Sequence, residues 1–147
     1  MPIVWPAVVR SGYESAPQLL VIGVGGAIGA GARWAIDELG GVAWGDTPVG
    51  AWPWPTLFVN LLGCALIGLA AAFVDPGSTR WSFVVTGALG GFTTYSAFAV
   101  EVDQLANAGR PALAGLYVGT TLLGGAVATL AGARRAVEPP VPRRSIE

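Results

Sequence analysis

The chain has 147 residues, of which 53% are hydrophobic and only 12% are charged, and its formal net charge is −1. Soluble domains carry about 25% charged residues, so this composition would expose large apolar patches to water. The chain has no histidine, and its only cysteine is Cys64. These counts exclude an intrachain disulfide, a Cys/His zinc site and a Cys–His nucleophile. The small net charge also argues against a nucleic-acid partner. We therefore expect a membrane protein and not an enzyme.

Four apolar stretches follow one another along the chain, each close to the roughly 20 residues that a helix needs to cross a bilayer. A Gly/Pro/Trp-rich loop, a tight Asp-Pro-Gly-Ser turn and an Asn-Ala-Gly-Arg-Pro segment separate them. The fold predicted is an all-α membrane protein with four transmembrane helices, embedded in the lipid bilayer. The helices are expected at about 18–39, 56–74, 81–103 and 112–133. We expect residues 1–17 to form an N-terminal segment and the Pro- and Arg-rich residues 134–147 a disordered tail.

Arginine placement predicts the orientation. With four spans, both termini and the loop at Arg80 share one side, and cytoplasmic loops carry an excess of basic residues. Six of the eight arginines lie on that side: Arg10, Arg80, Arg134, Arg135, Arg143 and Arg144. Arg33 and Arg110 lie opposite. The bias predicts a multi-pass protein of the cell membrane with cytoplasmic termini. Four tryptophans fall at the predicted membrane edges, as an aromatic belt requires: Trp44, Trp52, Trp54 and Trp81.

The first two spans contain small and polar residues that need partners. The glycines of the first span would let its backbone approach a neighbouring helix: Gly23, Gly25, Gly26, Gly29 and Gly31. Arg33 either extends to the membrane interface, faces a water-filled vestibule or caps carbonyl groups of a broken helix. Asn60 lies inside an apolar span, where a carboxamide is costly without a partner. It either joins two helices or offers its NH₂ group to an anion.

The third span contains the most unusual run of residues. Gly90 and Gly91 precede Thr93 and Thr94, a poor helix-forming sequence in the middle of a span, so we predict a break at the two glycines. Carbonyl groups released by such a break can bind a hard cation such as Na⁺. Aromatic residues and a glutamate recur every third position and would share one face where the chain is helical: Phe92, Tyr95, Phe98 and Glu101.

Three stretches resemble the Fluc (CrcB) family of fluoride channels, and the resemblance extends over all four spans. They are GGAIGAGARW at 25–34, TLFVNLLG at 56–63 and GALGGFTTYSAFAVE at 87–101. The resemblance implies a fluoride-selective channel that lets fluoride leave the cytoplasm passively and so protects the cell from fluoride toxicity. It also implies a dual-topology antiparallel dimer with a broken third helix.

The resemblance further implies the site residues. Backbone carbonyl groups of Gly90 and Thr93 would hold a structural Na⁺ at the dimer interface. The fluoride pathway would be lined by Asn60, by the ring edges of Tyr95 and Phe98, and by a polar track of Thr94, Ser96 and Glu101. The fourth helix would add hydroxyl groups, for which Tyr117 and Thr121 are the candidates.

Two departures from the family pattern leave alternatives open. Tyr95 stands where the family usually has Phe, and Ala97 replaces a common hydroxyl residue. The added hydroxyl of Tyr95 would either bind fluoride or narrow the passage. The arginine bias favours one orientation, so the partner is either a second copy or an oppositely oriented paralogue. Two other functions compete: a proton-coupled small multidrug exporter, which needs an embedded carboxylate, and a non-conducting membrane assembly protein.

Overall fold

The structure, a computed structural model, describes residues 16–44, 48 and 50–134, and within that part of the chain it is helical with no strand. Four helical segments are long and apolar enough to cross a membrane, which confirms the predicted architecture. Helix α1 is Ala16–Trp44, α2 is Trp54–Phe73, the third span is Thr79–Asn107, and the fourth is Pro111–Arg134. The predicted N-terminal segment and C-terminal tail lie almost entirely outside the described residues.

The third span consists of two helices joined by an extended link. The first, α3, begins with Thr79–Trp81, continues as a π-helix over Ser82–Leu89 and ends with Gly90–Phe92. In the π-helix the Gly90 N–H reaches the Val85 carbonyl oxygen, five residues back. The second, α4, is Tyr95–Asn107, and the fourth span is α5. The sequence did not predict the π-helix.

The break confirms the predicted interruption of the third span but lies further along the chain than expected. Gly90 and Gly91 are helical, so the prediction that they form the break is wrong. The extended residues are Thr93, with φ −75° and ψ 157°, and Thr94, with φ −141° and ψ 123°. Gly91 instead provides close packing, because a Cβ there would overlap the Gly26 backbone of α1.

The helices pack as two pairs, α1 with α3 and α2 with α5. At Gly25 of α1, an added Cβ would lie 2.5 Å from the Phe83 carbonyl oxygen, and at Gly29 it would overlap the Ala88 carbonyl oxygen. Gly68 of α2 meets the Thr129 backbone of α5 in the same way. Glycine therefore permits backbone-to-backbone approach in both pairs. Gly23 and Gly31, for which the same role was expected, have open space around them.

The ends of the helices agree with local signals in the sequence. Ser78 caps the start of α3, since its hydroxyl accepts from the Trp81 N–H at 3.1 Å. The fourth span begins at Pro111, where a missing N–H costs nothing. Helix α1 continues to Trp44, past its predicted end near residue 39.

The buried core lies near one end of the helices, where α4 meets α5 and the start of α2. Its buried members are Leu57, Leu105, Ala114 and Tyr117, with Trp52, Leu61, Phe98, Val102 and Leu113 packed around them. Elsewhere the spans are largely uncovered, since only 11% to 39% of each is buried inside the chain. A single chain therefore leaves most of its apolar surface to be covered by lipid or by another subunit. Of the four tryptophans expected at the membrane edges, Trp54 is exposed, Trp81 is half-buried and Trp52 packs on the core. The side chain of the fourth, Trp44, lies outside the described part.

Candidate functional site

The break in the third span is held by Asn60 of α2. The backbone N–H of Thr94 donates to Asn60 Oδ1 at 2.9 Å, and Asn60 Nδ2 donates to the Thr94 carbonyl oxygen at 3.0 Å. The carboxamide thus pairs with the backbone of one extended residue much as a neighbouring strand would. The sequence left two roles open for Asn60, and the structure shows one of them, hydrogen bonding between α2 and the third span. One hydrogen on Nδ2 remains for another acceptor.

The hydroxyl groups of the two threonines at the break also form hydrogen bonds with nearby residues. The Thr94 hydroxyl caps α4 by accepting from the Ala97 N–H at 3.2 Å, and it lies 3.2 Å from the Ser96 hydroxyl. The Thr93 hydroxyl donates to the Leu89 carbonyl oxygen at 3.0 Å. The Thr94 hydroxyl thus replaces a backbone acceptor at the start of α4, whereas the Thr93 hydroxyl shares the Leu89 carbonyl oxygen with the Thr93 N–H.

The carbonyl groups of residues 90–93 lose the N–H that a continuous helix would supply, and the new partners of two of those N–H groups are seen in the structure. In an α-helix the N–H of Thr94 would pair with Gly90, and that of Ala97 with Thr93. Here the Thr94 N–H donates to Asn60, and the Ala97 N–H donates to the Thr94 hydroxyl. The carbonyls of Gly90 and Thr93 are therefore among those released by the break.

A groove beside the break gathers most of the predicted pathway residues. Its volume is about 410 Å³. The predicted residues among those lining it are Asn60, Thr93, Thr94, Tyr95, Phe98 and Thr121. Tyr95 is 80% exposed, so its side chain is open to a lipid, a partner or water. The Thr121 hydroxyl is buried and interacts with Tyr117 without a well-formed hydrogen bond.

Glu101 and Tyr117 lie in a second polar cluster, together with a residue that the sequence reasoning missed. Thr56 Oγ1 donates to Glu101 Oε1 at 2.5 Å, and the Tyr117 hydroxyl donates to Glu101 Oε2 at 2.7 Å. Both oxygens of the half-buried carboxylate therefore have partners. Thr56 stands one helical turn before Asn60, and that spacing on a polar face was the available signal.

Aromatic rings join the groove to the Glu101 cluster. The Phe98 ring lies 6.0 Å from that of Tyr95 and 5.3 Å from that of Tyr117, both in tilted arrangements. Ring edges in such arrangements present the positive part of the quadrupole. Phe92, expected on the same face, is buried before the break and belongs to a different helix.

Arg33 lies apart from this set. Its Nη1 atom is 3.8 Å from Asp37 Oδ2, one turn further along α1. Its Nε atom is buried, with no hydrogen-bond partner among the described residues. Arg33 is not among the residues lining the groove. The structure thus pairs Arg33 with Asp37 and does not bring it to the break.

Comparison with known proteins connects these features to one family. The family model described as CrcB-like protein, Camphor Resistance (CrcB), matches residues 20–133. The chain is 42% identical over 118 residues to the fluoride-specific ion channel FluC of Hyphomonas neptunium, covering 77% of this chain and 90% of that protein. It is 40% identical over 125 residues to the fluoride-specific ion channel FluC 2 of Streptomyces avermitilis, covering 80% of this chain and 74% of that protein.

Proposed function

Because the chain belongs to the CrcB family, we propose that it is a fluoride-selective channel through which fluoride leaves the cytoplasm passively, protecting the cell from fluoride toxicity. The observation that carries the proposal is the groove beside the break, where a carboxamide, hydroxyl groups and two aromatic rings meet. Relatives named as fluoride-specific channels support the choice of ion.

The proposed pathway runs along the groove towards Glu101. Fluoride is small and holds its water tightly, so a narrow path must replace that water with hydrogen-bond donors. Asn60 has one free N–H, and the ring edges of Tyr95 and Phe98 present positive potential. Ser96, Thr94 and Thr121 would add hydroxyl groups. Near Glu101, the hydroxyls of Thr56 and Tyr117 would donate to a passing fluoride ion instead of to the Glu101 carboxylate.

We propose that backbone carbonyl groups at the break hold a structural Na⁺. Hard cations prefer oxygen ligands, and backbone carbonyls serve this role in ion channels. The carbonyls of Gly90 and Thr93, the two that the family resemblance names, are among those whose helical N–H partners bond elsewhere at the break. They would hold the ion, which would add positive potential near the anion pathway.

The proposed assembly is a dimer whose subunits lie antiparallel. Large apolar side chains on every span are exposed in the single chain, including Val24, Phe58, Val100 and Leu123. The partner is either a second copy or an oppositely oriented paralogue. If the orientation in the cell membrane is single, the arginine bias places the termini of this chain in the cytoplasm.

Fluoride efflux from liposomes tests the proposed function. We expect the purified chain, reconstituted into vesicles loaded with potassium fluoride, to release fluoride when a potassium ionophore removes the charge imbalance. A fluoride electrode measures the release. Vesicles loaded with potassium chloride are the control and should retain chloride.

Three results would contradict the proposal or parts of it. Equal release of chloride would contradict the proposed selectivity for fluoride. Release that requires a proton gradient would contradict passive conduction. No release from the chain alone, but release after co-reconstitution with an oppositely oriented paralogue, would establish the paralogue as partner. No release in either case would contradict the channel itself.

A further inference from the structure

A cavity of about 310 Å³ lies beside Glu101, where the loop before α2 meets α4. The loop and the first turn of α2 form one wall of this cavity, the loop wall: Pro48, Gly50, Ala51, Pro53 and Pro55. The other two lining residues, Glu101 and Gln104, stand one turn apart on α4. Because the proposed pathway ends at Glu101, an ion would enter or leave that pathway through this cavity.

Hydrogen-bond donors are scarce on the loop wall. Three of its five residues are prolines, which have no backbone N–H. The N–H of Ala51 donates to the Pro48 carbonyl oxygen at 2.9 Å, so it is already bonded. Glycine, alanine and proline have no polar side-chain group. The loop wall therefore offers an anion at most one N–H, that of Gly50.

The two residues from α4 differ in what they can offer an anion. Both oxygens of the Glu101 carboxylate accept hydrogen bonds, from Thr56 at 2.5 Å and from Tyr117 at 2.7 Å. An ionised carboxylate can only accept, and its charge repels an anion. Gln104 is exposed and has an NH₂ group with two donors. Among the described residues that line the cavity, it is the only one whose side chain is a ready donor.

The loop wall is held against the end of α4, so the cavity has a defined shape. Arg110 Nη1 donates to the Gly50 carbonyl oxygen at 3.0 Å. Gly50 is buried and has φ +80°, a conformation that favours glycine, and an added Cβ there would lie 2.6 Å from the Ala108 Cβ. These contacts fix the loop wall before any ion arrives. A site arranged in advance loses less free energy on binding than a mobile one.

We propose that the Gln104 carboxamide is a fluoride-binding donor at the mouth of the pathway, where the ion passes between water and the Glu101 cluster. The inference rests on the proposed function, because it assigns a further ligand to the same ion. Gln104 continues the face of α4 on which Phe98 and Glu101 are three residues apart. An anion that loses water in a cavity with few donors needs a replacement at once. Gln104 supplies it without taking a hydroxyl from Glu101.

Matched substitutions on α4 test the proposal by flux. Gln104→Met replaces the carboxamide by an apolar group of similar length. Asn107→Leu is the control, because it also replaces an exposed carboxamide on α4, and Asn107 is not among the residues lining the cavity. We expect Gln104→Met to lower fluoride efflux about fivefold, the effect of one lost hydrogen bond. Asn107→Leu should conduct at the parent rate.

A third variant distinguishes loss of the donor from a change in side-chain size. Gln104→Glu keeps the size, removes both donors and adds a negative charge, so its efflux should fall below that of Gln104→Met. Efflux at the parent rate from either Gln104 variant would overturn the proposal, and so would an equal fall for Asn107→Leu. If the thermal unfolding midpoint of a Gln104 variant falls below that of Asn107→Leu, the spectroscopic titration decides in place of the flux. Absence of efflux from the parent chain would contradict the proposed function instead.

Nuclear magnetic resonance observes the carboxamide directly and does not depend on conduction. The chain has two glutamines, Gln18 and Gln104, so labelling with ¹⁵N-glutamine in detergent micelles gives side-chain signals from these two residues. The Gln104 signal is identified as the one missing from the spectra of both Gln104 variants. Gln18 donates to the Ser82 hydroxyl at 3.0 Å and is the internal control.

We expect the Gln104 signal to shift as sodium fluoride is added, and the Gln18 signal to remain in place. Sodium chloride should leave both signals unchanged. No shift of the Gln104 signal with fluoride would overturn the assignment. An equal shift with chloride, or an equal shift at Gln18, would overturn it as well, because neither is specific binding of fluoride by Gln104.

Discussion

Asn60 joins α2 to the interrupted third span through both polar atoms of its side chain. The sequence alone allowed two roles for Asn60, because a carboxamide inside a span can form hydrogen bonds with another helix or with an ion. The tertiary contact shows that bonding to the backbone takes up the Oδ1 atom and one of the two N–H groups. In the proposed channel the remaining N–H serves fluoride, so one residue both orients the break and contributes to the pathway.

Replacing Asn60 by Ala should therefore affect stability and flux together. The change leaves the N–H and carbonyl of Thr94 without their partner, which should lower the free energy of unfolding by about 1–2 kcal/mol. Fluoride efflux should fall because the break loses its orientation and the path loses a donor. Thermal unfolding in detergent and efflux from liposomes measure the two effects.

Asn107→Ala is the matched control for this prediction. The Asn107 side chain also makes a hydrogen bond, to Asp103 at 2.9 Å, but on the exposed end of α4. Its loss should change neither measurement appreciably. If Asn60→Ala behaves like Asn107→Ala, the bonds to Thr94 do not hold the break.

At the scale of elements, the third span departs from a regular helix twice. The Ser82–Leu89 segment is a π-helix, and the chain leaves the helix at Thr93 and Thr94. Glycines at α1 and α3 bring the two backbones into contact along the π-helical part. π-Helical segments are rare and are often found at functional sites. Here the segment immediately precedes the break that Asn60 holds.

Replacing two glycines of α1 by alanine, one at a time, should distinguish the effect of close helix packing on stability from the effect of helix propensity. Gly29→Ala places a Cβ against the Ala88 carbonyl, so α1 and α3 must move apart, with an expected loss of about 1–3 kcal/mol. Gly31→Ala, two residues further along, meets open space. It should be neutral or stabilise the helix by up to about 1 kcal/mol. Thermal unfolding midpoints measured side by side compare the two.

The position of the substituted glycine is the only variable in that pair, since both changes add one methyl group to the same helix. A similar midpoint for both variants would mean that α1 and α3 do not approach as closely as the structure shows. A lower unfolding midpoint for Gly31→Ala alone would place the close contact on the other face of α1.

At the scale of the whole molecule, a single chain leaves most of each span uncovered. The core near Tyr117 covers one end, whereas the faces carrying residues such as Leu123 and Tyr95 are exposed. Lipid can cover an apolar face, but it cannot provide ligands to carbonyl groups released by a break. The proposed antiparallel partner and the proposed Na⁺ would meet both needs.

Removing sodium should therefore weaken the assembly and slow conduction. When Na⁺ is replaced by the bulky cation N-methyl-D-glucamine on both sides of the membrane, we expect fluoride efflux to fall several-fold. The thermal unfolding midpoint in detergent should fall too, since an ion that binds only the folded state stabilises it. Both should recover when Na⁺ is restored. Unchanged flux and midpoint after exhaustive exchange would contradict a structural sodium site.

The amino-acid sequence by itself determined the membrane setting, the four helices and the interruption of the third. Apolar length, turn residues and poor helix formers act locally, so these features need no knowledge of distant contacts. The family resemblance named the residues of the candidate site. It did not reveal Thr56 as a partner of Glu101.

Only the tertiary structure decided where the third span breaks and what holds it. Gly90 and Gly91 are weak helix formers, yet they remain helical because Gly91 packs against the α1 backbone. The break moves to Thr93 and Thr94 because the Asn60 carboxamide, 34 residues away, replaces the backbone partner of Thr94. Such a choice depends on which segments meet in space, and local propensity carries no information about that.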